Sequence, residues 1–114
     1  MELWHNPRCS QSRAAKAILD ARRAAYEERR SPAAPPPAPE LDAVLTALAL
    51  GPWELPRMGE PVARELGLRE LPHDRARWVA LLSEHPILIE RPILVAGDGR
   101  AVLGRPPEAI EALL

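Results

Sequence analysis

Glu2-Leu3-Trp4-His5-Asn6-Pro7-Arg8-Cys9-Ser10-Gln11-Ser12-Arg13 changes backbone habit partway along. Glu2-Leu3-Trp4-His5 reads as a short strand ended by Asn6-Pro7, because Pro7 disfavours helix at the residue before it. From Ser10 the pattern turns helical. Ala14, Ile18, Ala21 and Ala25 recur at helical spacing, with Ala15 and Leu19 beside them. Arg13, Lys16, Asp20 and Arg23 cover the other faces, and the spacing predicts a helix over about residues 10–24. Cys9 then lies between a strand end and a helix N-terminus. Free backbone N–H groups point outward there and the helix dipole is positive. Both favour a thiolate over a thiol. Arg8, Arg13 and His5 are read as further positive charge, and the same N–H groups form a nest for an oxyanion.

Downstream, Ala25 to Ser31 is charged apart from Tyr26 and makes a weak strand. Residues 31–39 hold five prolines and three alanines, a stiff surface connection. Leu41, Val44, Leu45 and Leu48 mark a second helix, stopped by Gly51-Pro52. One short helix fits between Pro61 and Gly67. Asp74 is placed to cap a longer one carrying Trp78, Leu81 and Leu82, which His85-Pro86 ends. Two apolar runs follow, Ile87-Leu88-Ile89 and Ile93-Leu94-Val95-Ala96, then the turn Gly97-Asp98-Gly99 and Ala101-Val102-Leu103. This reads as a β-hairpin. Pro106-Pro107 opens a last helix with Ile110, Leu113 and Leu114 inward. A βαβ half followed by a ββα half is the plan of a thioredoxin-like α/β domain. The expected architecture is a small mixed four-stranded sheet flanked by helices, with a helical insertion at about residues 40–85 between the halves.

The 114 residues fit a single domain spanning 1–114. A net charge of −1, from 15 basic and 16 acidic residues, excludes a strongly basic nucleic-acid binder. Fourteen of the basic residues are Arg and only Lys16 is Lys, a bias that suits bidentate oxyanion recognition. No run approaches the roughly 20 apolar residues of a membrane span, and no charged-then-apolar leader opens the chain. The expected location is the cytoplasm. The one cysteine excludes an internal disulfide, and Ser12 stands where a dithiol protein has its second Cys. His5, His73 and His85 are scattered, so no metal site is expected.

These residues resemble a known family. His5-Asn6-Pro7-Arg8-Cys9-Ser10-Gln11-Ser12-Arg13 is similar to the opening motif of the glutaredoxin/glutathione-coupled, thioredoxin-fold arsenate reductases. Pro56-Arg57-Met58-Gly59-Glu60-Pro61 with Glu65-Leu66-Gly67-Leu68 resembles the family's middle segment. His85-Pro86-Ile87-Leu88-Ile89-Glu90-Arg91-Pro92-Ile93 resembles its third-strand motif, and Gly104-Arg105-Pro106-Pro107-Glu108 its last. The four motifs occur in the family's order across nearly the whole chain.

The resemblance implies an enzyme of arsenic detoxification in which Cys9 attacks arsenate. By position Arg57, Arg91 and Arg105 hold the oxyanion; Arg13, read above as positive charge beside Cys9, is a further substrate-binding candidate. His5 and Ser12 stand at the family's motif histidine and serine and complete the expected catalytic group. A cis peptide before Pro92 is implied too. No cofactor is bound; glutathione is the co-substrate and glutaredoxin the partner, with no nucleic acid and no membrane. Guanidiniums neutralise an anionic substrate that a thiolate would otherwise repel, and they stabilise charge as the As–S bond forms. Two other functions fit the same residues. One is a related glutathione-dependent thiol oxidoreductase acting on another substrate. The other is a non-enzymatic transcriptional regulator of the same fold family.

Overall fold

Leu3 and Trp4 are fully or nearly buried, and β1 (Glu2–His5) turns them to opposite faces of a sheet. The computed structural model describes residues 1–30 and 35–114. Part of the expected proline-rich connection, 31–34, lies outside the described residues. After β1 come α1 (Ser10–Ala21), β2 (Glu27–Arg30), α2 (Ala38–Leu48), α3 (Pro61–Glu65), α4 (Arg75–Glu84), β3 (Ile93–Val95) and β4 (Ala101–Leu103). Three 3-10 segments, Leu68–Glu70, Pro86–Leu88 and Pro107–Leu113, complete the order. The sheet order is β2-β1-β3-β4. β1 runs parallel to β2 and antiparallel to β3, and β3 pairs antiparallel with β4. This is the mixed, thioredoxin-like sheet that the order of elements predicts.

The chain divides into two compact units, Met1–Ala34 with Arg91–Leu114, and Pro35–Glu90. In the first, Leu3 and Leu94 are register partners and share one sheet face. They pack with Ala15 and Leu19 of α1 and with Ile110. Each fully buried Leu or Ile contributes about 1.5–3 kcal/mol. The buried stripe of α1 is therefore Ser12, Ala15 and Leu19, with Ile18 beside it. The expected stripe is rotated, because Ala14, Ala21 and Ala25 are exposed. Alanine marks a helix face weakly, and the polar Ser12 hid the true one.

Helix α1 also stops three residues before the expected end. Arg23 takes a left-handed conformation (φ 52°), its N–H donates to the Asp20 carbonyl and the Ala24 N–H to Leu19. These are the paired bonds of a Schellman ending without its usual glycine. Helix α2 ends the same way at Ala49 (φ 58°), ahead of the expected Gly51-Pro52 stop.

In the second unit, α2 packs on α4. Leu41, Val44 and Leu45 of α2 and Trp78, Val79 and Leu82 of α4 are buried. Arg75 binds Asp42 at 2.7 Å, tying the two helices. Asp74 occupies the N-cap of α4 as expected, but its side chain makes no capping bond. Pro61 opens α3, and Gly67 (φ 65°) takes the left-handed conformation just past its end. The run Ile87-Leu88-Ile89 forms no strand. Leu88 and Ile89 are buried around a 3-10 turn, and Ile89 makes an isolated bridge to Pro56. The last helix is 3-10 rather than α; only Ile110 is fully buried and Leu114 is exposed.

Candidate active site

In the first unit, β1 delivers the chain to the site and α1 carries it away. Cys9 is the N-cap of α1, with extended backbone (φ −92°, ψ 123°), and its side chain makes no capping bond. Its N–H donates to the Asn6 carbonyl at 3.0 Å. The Arg8 N–H donates to Asn6 Oδ1 at 3.0 Å, and Arg13 Nη1 donates to the Pro7 carbonyl at 2.9 Å. The loop is thus closed on itself, with the half-exposed Cys9 sulfur outside this bonding. Arg13, expected at the oxyanion, is exposed and braces the loop.

His5 and Ser12 lie beneath that loop, both buried. The Ser12 hydroxyl accepts the Asn6 N–H at 3.0 Å and stands 2.7 Å from His5 Nδ1. The contact forms with either ring tautomer, the hydroxyl donating to a bare Nδ1 or accepting from Nδ1–H. Burial pushes the His5 pKa below 6.5, aided by Lys16, Arg30 and Arg13 and opposed by Glu28. His5 is therefore a neutral brace near neutral pH, not the additional positive charge its sequence position suggested.

The charge at Cys9 comes from the other end of the chain. Arg105 Nη2 lies 3.6 Å from Cys9 Sγ, and its Nε donates to the Arg91 carbonyl at 2.9 Å. The guanidinium is thus anchored through Nε and presented to the sulfur through Nη2. Arg91 itself is 2% exposed. The Arg91–Pro92 peptide is cis, as the resemblance implies; Arg105–Pro106 is cis as well, which no motif signalled. Gly104 makes this approach possible. Its N–H donates to the Pro92 carbonyl at 2.8 Å, and a Cβ there would stand 2.7 Å from Pro92 Cγ. The glycine directly before Arg105 was the available signal for that contact.

Arg57 belongs to the second unit. Its N–H donates to the Leu88 carbonyl at 2.7 Å. Its guanidinium lies 3.6 Å from Glu60 and 3.8 Å from Glu90. The sequence reading did not anticipate either carboxylate. Among the described residues, no group of three or more His, Cys, Asp or Glu side chains could hold a metal ion. None of their helices is long and apolar enough to cross a membrane.

The geometry has counterparts in known proteins. A protein from Streptomyces viridochromogenes, described as an uncharacterized protein in the glnII region, is 45% identical over all of this chain and 98% of its own length. An arsenate reductase of Neisseria meningitidis is 38% identical over all of this chain and 97% of its own. The structure of an arsenate reductase from Vibrio cholerae superposes with a TM-score of 0.91 at 34% identity, covering all of this chain and 98% of that one. The ArsC family model matches residues 4–113, and with relatives this similar along their whole lengths the chain belongs to the ArsC family of arsenate reductase-like oxidoreductases.

Proposed function

We propose that this protein reduces arsenate to arsenite through a Cys9 arsenate thioester, with glutathione and glutaredoxin supplying the electrons. The observation that carries the reading is the Arg105 guanidinium 3.6 Å from the Cys9 sulfur, at the N-terminus of α1. A cation there lowers the cost of bringing an anionic oxyanion against a thiolate. It also stabilises charge that builds on the oxygens during attack. Arg91 and Arg105 form the oxyanion side of the site. His5 and Ser12 act by holding the loop that presents Cys9.

In the first step the Cys9 sulfur bonds to arsenic and an arsenate oxygen leaves as water. The glutathione sulfur then attacks Cys9 Sγ. The As–S bond breaks with its electron pair moving to arsenic, which leaves as arsenite, and Cys9 becomes a mixed disulfide with glutathione. A glutaredoxin thiolate takes the glutathionyl group and frees Cys9. A chain with a single cysteine suits this route, since no second protein thiol is available to resolve the intermediate. Turnover of arsenate with glutathione and glutaredoxin, lost in Cys9→Ser, is the expected result. No turnover from folded protein with Cys9 reduced would reject the reading.

A further inference from the structure

Two residues one turn apart on α1 each hold a strand of the sheet. Leu3 packs against Ala15 and Leu19, so the side of β1 that carries Leu3 and His5 faces α1. Glu28 and Arg30 of β2 are the register partners of Leu3 and His5 and lie on that same side. Ser12 stands 2.7 Å from His5 Nδ1, and Lys16, four residues further along the helix, pairs with Glu28. All of these residues lie in the first unit.

Lys16 is the one lysine in the chain, and its ammonium is held from two sides. It pairs with Glu28 Oε1 and donates to the Tyr26 hydroxyl at 2.9 Å, while that hydroxyl donates to Asp20 at 2.6 Å. The bond to Glu28 first, and the bond to Tyr26 second, raise the Lys16 pKa above the usual lysine range. The same contact holds the Glu28 carboxyl below its ordinary value, so the pair stays ionised through neutral pH. Arg30 meets the other Glu28 oxygen at 3.5 Å from an exposed side chain, a weaker pairing. Among the described residues, the charged groups facing His5 are Glu28 and Arg30 from β2 and Lys16 and Arg13 from α1; β3 brings only Ile93, Leu94 and Val95. Of the four, Glu28 alone favours a charged His5. A charged ring carries N–H on both nitrogens, so it fixes Nδ1 as a donor to Ser12 and adds a positive charge beneath the Cys9 loop. We propose that Lys16 is a positioning residue for Cys9: its clasp on Glu28 holds the His5–Ser12 brace under the catalytic loop in the neutral state. The inference rests on Cys9 being the reactive group and concerns the control of that group rather than its substrate.

The test follows the His5 ring signals by NMR and the Cys9 alkylation rate from about pH 5 to 8. Neither needs arsenate or a reductant, and the His5 signals are assigned by their loss in His5→Asn. Lys16→Met leaves Glu28 facing His5 and raises the His5 midpoint by about 0.5–1 pH unit, the size of one partly solvated charge interaction. Glu28→Gln leaves Lys16 in place and lowers the midpoint. The double variant of both changes returns it close to wild type, and Lys16→Arg keeps it there. The alkylation profile carries an inflection at the His5 midpoint and moves with it in every variant. A merely structural role predicts otherwise, because loosened packing exposes His5 and moves its midpoint up in both single variants. The proposal is overturned if the two single variants move the midpoint in the same direction or not at all. It is also overturned if the alkylation inflection stays fixed while the midpoint moves. Where Lys16→Met does not fold, Glu28→Gln decides alone: a lower midpoint with the inflection following it supports the clasp, and an unchanged or higher one overturns it. These shifts in a protein that turns over no arsenate would remove the arsenate reading and leave the clasp standing.

Discussion

Arg105→Lys separates the two ends of one side chain. In the native protein Nε donates to the Arg91 carbonyl at 2.9 Å while Nη2 faces Cys9 Sγ at 3.6 Å. A lysine ammonium keeps the charge but has no rigid fork, so it cannot hold both positions in the same geometry. A hydrogen bond from a charged donor contributes about 1.5–3 kcal/mol. Arg105 is only half-buried, so water offsets part of this and the lower half of that range applies. At about 1.4 kcal/mol per tenfold, kcat/KM for arsenate falls roughly 10- to 40-fold. Arg105→Ala removes both contacts and falls further, by about 10²–10³, the range for losing a preorganised donor at a developing charge. The assay is steady-state arsenate reduction with glutathione and glutaredoxin in excess. Arg100→Lys, an exposed change on the β3–β4 turn, is the control and retains wild-type kinetics. Wild-type kcat/KM in Arg105→Lys would refute the anchoring argument. A loss as large as that of Arg105→Ala would show that the Nη2 geometry at sulfur matters and the Nε anchor does not stand apart from it.

Three further outcomes follow from the same geometry. Gly104→Ala puts a methyl 2.7 Å from Pro92 Cγ and 3.2 Å from Ile110 Cγ2, so urea denaturation should show a loss of about 1–3 kcal/mol; unchanged stability would mean that the β4 end yields easily. Ala49→Gly relieves a left-handed alanine (φ 58°) and should raise stability by about 1 kcal/mol in the same measurement, with a loss counting against the assigned conformation. The depressed His5 pKa gives a pH signature: above 6.5 both folded and unfolded His5 are neutral and the group contributes nothing. As pH falls through 6.5 towards the folded pKa, the unfolded chain takes the proton first, so stability drops across that window and the drop is complete below it. His5→Asn should flatten this part of the profile, and an identical slope in the variant would exclude His5 as its source.

The hairpin, the mixed four-stranded sheet and the place of Cys9 were legible from the patterning and order of segments along the chain. Ile93-Leu94-Val95, a glycine-flanked turn and Ala101-Val102-Leu103 leave little choice of structure. The same is true of Pro61 and Gly67, which bound α3 as written. What was not legible depends on tertiary partners. The core face of α1 contains Ser12, whose polarity is satisfied by His5 and the Asn6 N–H, so a search for apolar residues passes over it. The early end of α1 rests on Arg23 in a conformation that glycine usually signals. β2 reads weakly because it is an edge strand, with Glu27 and Arg30 exposed. Asp74 is a good N-cap residue whose side chain makes no capping bond.

At the site, Arg105 could be named from its motif, but its bond to the Arg91 carbonyl could not. That bond depends on the backbone path through Pro92 and Gly104. The setting of Arg57 was hidden for a related reason. Glu90 approaches it across a bridge between Pro56 and Ile89, residues far apart in the chain. Motif position identified the guanidinium, and only the fold supplied the two carboxylates beside it.

Mass spectrometry of the protein incubated with glutathione, with and without arsenate and in the absence of glutaredoxin, tests the central chemistry most directly. One glutathione joined to Cys9 through a disulfide, formed only when arsenate is present and matched by released arsenite, is the predicted result. An adduct that forms equally without arsenate, or a reduced Cys9 that stays unmodified with it, would contradict arsenate attack by this sulfur.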